Sequence, residues 1–280
     1  MTSDSFLATS DRLIYYVFFP LMLFWKIGGA STLSMDWKFI SAAFCALLTV
    51  YFLSWICIQV FEITDYQAGS FSQSCYRFNT YIGMAVILNA LGEEGVRIFG
   101  VLIGIMIPII NVLAVTTLIW YSGKRYSAAE KNRMLLKALL SNPLIIGCVA
   151  GILYANFIHV FPVFLDNTLR LTSMVTLPLA LLSIGGSLTF QSFKAYYRQS
   201  LTATAVKLVV LPVCGYLFFN LFQVDETATR VGLIYFALPT STAIYVLSSQ
   251  LNSDTQLASA AIVVSTLLSI ASLTVVLTVI

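Results

Sequence analysis
The chain has 280 residues, of which 59% are hydrophobic and 10% charged, with a net charge of +3 and a mean hydropathy of +0.90. A soluble domain carries about 25% charged residues, so this chain cannot cover a water-facing globule and a soluble enzyme is excluded. Six stretches hold no Asp, Glu, Lys or Arg: 39–61, 98–123, 138–165, 171–193, 231–253 and 255–280. Each is long enough for the ~20 apolar residues of a spanning helix. The fold class is all-α polytopic membrane protein; a β-barrel would show short alternating segments instead.

In chain order the pattern predicts about nine membrane segments. The first covers about 12–28 and contains Pro20; the second covers about 39–61. The third, about 76–92, is short and interrupted by Gly83, and the fourth covers about 97–121. A basic loop follows, with Lys124, Arg125, Lys131, Arg133 and Lys137. The fifth segment covers about 137–157, where Asn142-Pro143 reads as a kink whose freed carbonyl is satisfied. The stretch 160–189 is too long for one straight span and reads as an interfacial piece, Phe161–Arg170, followed by a sixth span over about 171–190. The seventh covers about 200–222, the eighth about 230–250 with a break near Pro239, and the ninth about 255–280.

No soluble domain or linker is visible, so residues 1–280 read as one transmembrane domain, with a first half of about 1–121, a cytoplasmic loop at 122–136 and a second half of about 137–280. The acidic N-terminus, MTSDSFLATSDR, has no basic region and is not a cleavable signal peptide. With the 122–137 loop in the cytoplasm, Lys and Arg in loops divide nine against five. That bias predicts a multi-pass protein of the inner (plasma) membrane, N-terminus cytoplasmic and C-terminus external. No basic block suits nucleic acid. The five cysteines form no CxxC and read as small buried hydrophobes. His159 reads as interfacial, and no metal or cofactor is expected.

The chain repeats itself. Pro20-Leu21-Met22-Leu23 is matched by Pro178-Leu179-Ala180-Leu181. Asn79, in FNTYIG, follows the first proline at nearly the distance at which Pro239, in ALPTSTAIY, follows the second. An odd number of spans separates the copies, so the second lies inverted. Inverted repeats with helices interrupted at matching places are a transporter signature, and the substrate site is expected where the breaks face each other. Unpaired backbone groups at such breaks are tolerated only in a wet cavity or against a ligand, and half-helix N-termini favour an anion.

The stretches SNPLIIGCVAGIL (141–153), TLPLALLSIGGSLTF (176–190), VKLVVLP (206–212), ALPTSTAIYVLSSQL (237–251) and VVSTLLSI (263–270) resemble, in order, the auxin efflux carrier family of permeases. DRLIYYVFFPLMLF (11–24) and RFNTYIGMAV (77–86) look like that family's second and fourth helices. The resemblance implies a carrier of small organic anions, of the branch that moves malate and malonate in bacteria. It also implies ten helices in two inverted five-helix repeats, with the broken helices crossing. The family's first helix is missing, because the chain opens at the second. The proline that commonly follows the first break is also absent; Met84 and Ala85 stand in that region, and Gly83 alone must provide the break.

The expected substrate site is Asn79, Thr80, Tyr81 and Gly83 on one broken helix with Pro239, Thr240, Ser241, Thr242 and Tyr245 on the other. All are neutral, so a carboxylate would be bound by amide, hydroxyl and backbone donors without a fixed cation. Asn142 and Lys207 are candidates for a supporting shell. Lys207 is the one charge well inside a span, and either snorkels to the interface or attracts the anion. The expected function is a permease for organic anions such as dicarboxylates, secondary-active or driven by the membrane potential and working by alternating access. A non-transporting sensor and a sodium-coupled organic-anion symporter of the same fold stay open. The partners are the substrate and the bilayer, with a homodimer also open. An intramembrane protease is excluded: there is one histidine, no HExxH and no aspartate pair inside a span.

Overall fold
A computed structural model describes residues 4–29, 36–123, 127–158, 160–187 and 193–279. Among these residues there is no strand, and nearly all are helical. His159, Lys124 and Arg125 lie outside them.

Thirteen helices follow in order: α1 Asp4–Leu13, α2 Phe19–Gly28, α3 Trp37–Val60, α4 Asp65–Tyr76, α5 Thr80–Tyr121, α6 Ala128–Leu140, α7 Pro143–Phe157, α8 Val163–Ser187, α9 Phe193–Ala205, α10 Leu211–Phe222, α11 Glu226–Ala237, α12 Ala243–Gln250 and α13 Thr255–Val279. Wide π-helical turns at Ile14–Phe18 and Val206–Val210 join α1 to α2 and α9 to α10.

Several segment boundaries differ from the sequence reading. The first segment starts at Asp4, not near residue 12, and the seventh at Phe193, not near 200. The split expected within 160–189 is absent from the described residues: α8 runs unbroken through Asp166 and Arg170 to Ser187. Asp166 is tolerated there because its Oδ1 accepts a 2.7 Å hydrogen bond from Trp25 Nε1. Much of the basic loop is the helix α6. Its N-terminus carries a reciprocal box in which Ser127 Oγ accepts from the Glu130 N–H and Glu130 Oε2 from the Ser127 N–H. Those bonds hold the Glu130 carboxyl below its ordinary range. Asn142 is not a kink with a freed carbonyl but the cap of a new helix, its Oδ1 accepting from Leu144 N–H and Ile145 N–H. The third and fourth segments are two helices that meet without a loop at Gly92, where the backbone is not helical (φ 64°, ψ −155°); α5 denotes the pair. That conformation is close to glycine-only.

The chain forms two compact units, each drawing on both halves of the sequence. The first comprises Met1–Asp36, Met84–Pro108 and Leu136–Ser187. Its centre is α2 against α7, where backbone meets backbone: a Cβ added at Gly147 would lie 2.6 Å from Pro20 O, and one at Gly151 3.1 Å from Phe24 O. Gly147 and Gly151 form a GxxxG pair, the spacing that lets spanning helices approach closely. Tyr154 stacks on Phe161 at 4.3 Å, with Phe24 edge-on to both.

The second unit comprises Trp37–Gly83, Ile109–Leu135 and Leu188–Ile280. Here α3, α10 and α11 close around Phe39, Phe219 and Phe236. The rings of Phe236 and Phe219 lie where side chains at Gly215 and Gly232 would stand. All nine residues of the expected site belong to this unit, and so does Lys207; Asn142 belongs to the first.

Candidate functional site: a crossover of two broken helices
The first broken helix begins with α4, whose sequence DYQAGSFSQSCY is too polar to read as a span. It is nevertheless buried from Ala68 to Tyr76. Its serine hydroxyls make this possible, because each of Ser70, Ser72 and Ser74 finds a partner inside the protein. Ser74 Oγ donates to Ser70 O, Ser54 and Ser72 pair at 2.8 Å, and Ser70 Oγ donates to Ser248 Oγ at 2.8 Å. Ser253 Oγ, 3.0 Å from Ser70 Oγ, donates to Tyr66 O. These bonds fasten α4 to the far end of α12.

After Tyr76 the chain unwinds for three residues, Arg77 to Asn79, and α5 starts at Thr80. Asn79 makes the restart: its Oδ1 accepts from Tyr81 N–H at 3.0 Å and Ile82 N–H at 3.1 Å. The second broken helix is α11, which ends at Ala237, then an unwound stretch over Leu238–Thr242, then α12. The two breaks touch. Asn79 N–H donates to Pro239 O at 2.8 Å, and the rings of Phe78 and Tyr235 meet edge to face at 4.4 Å. Ser265 on α13 accepts the Thr240 N–H at 3.1 Å, so a buried donor freed by the break is satisfied from outside the broken helix.

The expected residues take distinct places. Asn79 and Ser241 are caps, since Ser241 Oγ accepts the Ala243 N–H at 3.2 Å. The carboxamide oxygen of Asn79 is therefore committed to α5, and its Nδ2 is the part left to donate. Thr80 and Tyr81 open the first turn of α5. Gly83 is not the break; it sits inside the helix, its N–H bonded to Asn79 O. The interruption lies six to four residues earlier and comes from the Asn79 cap, which explains why no proline is needed. Pro239 supplies the bridging carbonyl. Thr240 is fully buried, and its Oγ1 has no hydrogen-bond partner among the described residues. Thr242 precedes α12, and Tyr245, on its first turn, is half-exposed.

The crossover is not neutral, contrary to expectation. Arg77, one of the nine cations counted on the cytoplasmic side, is buried in the first break at 6% exposure. Its guanidinium donates to Asn111 Oδ1 at 3.0 Å and Gln73 Oε1 at 3.3 Å. Lys207 does not snorkel: it is 0% exposed, and its Nζ donates to Phe236 O at 2.8 Å, in the last turn of α11. Each half-helix C-terminus at the crossover thus has a buried cation at its negative end, the favourable end for it. Both half-helix N-termini, at Thr80 and Ala243, open from the same place.

The membrane transport protein family matches residues 7–277. The chain belongs to this family, the auxin efflux carrier permeases. Among its relatives, an uncharacterized transporter of Methanocaldococcus jannaschii is 22% identical over 93% of this chain and 85% of its own length. A protein of Rhizobium meliloti named "Putative malonate transporter" is 25% identical over 69% of this chain and 61% of its own. This permease is a multi-pass membrane transporter and not an enzyme.

Proposed function
We propose that this permease carries small organic anions, dicarboxylates such as malonate and malate among them, and binds them where the two broken helices cross. The observation that carries the reading is the 2.8 Å bond from Asn79 N–H to Pro239 O. It holds two unwound segments together, with two half-helix N-termini leaving from them. The positive ends of two helix dipoles then meet at one place, the arrangement that favours a carboxylate. Arg77 adds a fixed positive charge two residues from Asn79. The Thr240 hydroxyl is a buried donor without a partner, and leaving such a group unmet costs about 1–3 kcal/mol. A bound carboxylate recovers that cost. The relative named for malonate supports the same substrate class.

Alternating access requires the unwound segments to be reached from either side in turn, and the caps at Asn79 and Ser241 keep the half-helices intact as this happens. The test is counterflow in proteoliposomes with labelled malonate, malate, succinate and an indole carboxylic acid. Saturable exchange of at least one dicarboxylate is the expected result. Purified, folded protein that binds and exchanges none of the four would reject the reading.

A further inference from the structure
In carriers built from broken helices, unwound carbonyls and half-helix C-termini coordinate the coupling cation. The C-terminal carbonyls of α11 are such a place, because the last four C=O groups of a helix lack partners within it and carry partial negative charge. In this permease the place is filled from within. Phe236 O accepts from Lys207 Nζ at 2.8 Å, and both residues have no solvent exposure. Lys207 reaches it from the π-helical turn Val206–Val210, a local widening of the kind that recurs at functional sites. Thr204, one turn earlier on the same helical run, is buried and holds a hydroxyl without a partner among the described residues. It is a further oxygen for a cation that could approach it. Among the described residues no group of three or more His, Cys, Asp or Glu comes together, so a mobile metal cation would have neutral oxygens alone.

We propose that the Lys207 ammonium is a tethered cation that occupies the coupling-ion place on the C-terminal end of α11, so that transport by this permease is independent of sodium. The anion then moves down its own electrochemical gradient. An anion leaving a cell whose interior is negative moves down the membrane potential, which makes a coupling ion unnecessary for efflux. The flux arm of the test rests on the anion-carrier reading above; the cation-binding arm does not.

Three proteins decide it: wild type, Lys207→Ala and Lys207→Met, purified and compared in sodium chloride and choline chloride. Wild-type malonate counterflow is expected to be the same in both salts, and its melting temperature unchanged. Lys207→Ala removes the ammonium and opens space beside Phe236 O. Sodium at about ten times its dissociation constant should raise the melting temperature of that variant by roughly 2–6 °C over choline. Lys207→Met removes the charge but fills the space, and should show no such rise. Sodium-stimulated counterflow by the wild type would overturn the proposal while leaving the anion-carrier reading intact. A folded Lys207→Ala protein indifferent to sodium would also overturn it, as would an equal sodium response in Lys207→Met. Should Lys207→Ala fail to fold, the wild-type comparison decides alone. Should no dicarboxylate bind at all, the melting comparison still decides, because it needs no substrate.

Discussion

Thr240 offers the sharpest single-residue measurement, because its fully buried hydroxyl serves nothing in the substrate-free protein among the described residues. Thr240→Val keeps the shape and removes that hydroxyl. The melting temperature should stay the same or rise, since an unmet polar group disappears, while malonate affinity falls. One hydrogen bond to a charged ligand is worth about 1.5–3 kcal/mol, or about 10- to 150-fold in the dissociation constant. Calorimetric or fluorescence titration on this variant and the wild type reads the difference, and equal affinities would remove Thr240 from the site. Asn79 needs a different variant. Asn79→Ala deletes the cap of α5, which costs about 0.5–2 kcal/mol of stability by itself. Asn79→Asp keeps an oxygen for Tyr81 N–H and Ile82 N–H, discards the Nδ2 donor and places a negative charge at the crossing. It should fold normally and lose dicarboxylate counterflow; full counterflow by a folded Asn79→Asp would contradict the role given to Nδ2. The break at Pro239 was legible in the sequence by a local rule, whereas the sequence places the first break at Gly83, because an asparagine cap looks like any other polar residue until its oxygen is seen on Tyr81 N–H and Ile82 N–H. Arg77 was not legible, since the polar run before it looked like a loop. Ser265 left no signal either, because its task is to meet an N–H 25 residues away, and a serine in an apolar helix ordinarily bonds its own backbone.

At the scale of elements, α4 exposes the limit of hydropathy. A half-helix can be buried with almost no apolar character when its serines satisfy one another, and the pairs Ser54–Ser72 and Ser70–Ser248 arise only after folding. The broken eighth segment was legible because proline forbids continuity. The structure changes what Pro239 is for, however. The break extends over Leu238–Thr242 and is held from outside, by Asn79 at Pro239 O and by Ser265 at Thr240 N–H. Restoring one N–H with Pro239→Ala therefore will not rewind it. Two glycines give element-scale tests of opposite mechanism. At Gly92 an added Cβ meets nothing within 4 Å, yet the backbone angles suit only glycine, so Gly92→Ala should cost about 1–3 kcal/mol through strain alone. At Gly147 the angles are ordinary and the Cβ would press on the Pro20 backbone at 2.6–2.9 Å. Backbone cannot rotate aside as a side chain can, so Gly147→Ala should cost about 1–3 kcal/mol by forcing α2 from α7. Melting temperatures of both variants check this. An unperturbed Gly147→Ala would mean that α2 and α7 are not packed this closely in the membrane.

For the whole molecule, sidedness follows from counting traversals and cations together. The helices α3, α8 and α13 have 24, 25 and 25 residues, and at about 1.5 Å per residue each exceeds the ~30 Å hydrocarbon core. The weak link is α7. Its 15 residues rise only about 22 Å, short of that thickness. Two features support a crossing here all the same. Leu140, Ile146, Val149, Leu153 and Phe157 are exposed apolar residues that suit lipid, and Leu140 extends this apolar surface back beyond the Asn142 cap. The bilayer also adapts to a short span by thinning locally, at a modest cost. Counting each broken helix once, and α5 as two segments meeting at Gly92, nine traversals are expected, an odd number. Relocating Arg77 from a loop to the crossover changes the loop count from nine against five to eight against five. The bias still favours the side holding Lys131, Arg133 and Lys137, all in or at the end of α6. A reporter inserted at Ser127 should therefore read cytoplasmic, and one fused after Ile280 should read external. Moving the bias tests its cause: replacing Lys131, Arg133 and Lys137 by glutamine should yield a mixed population at both positions, because three of eight cations leave one side. Two reporters reading on the same side would mean that an even number of segments, not five, lies between Ser127 and Ile280, and α7 would be the first segment to remove.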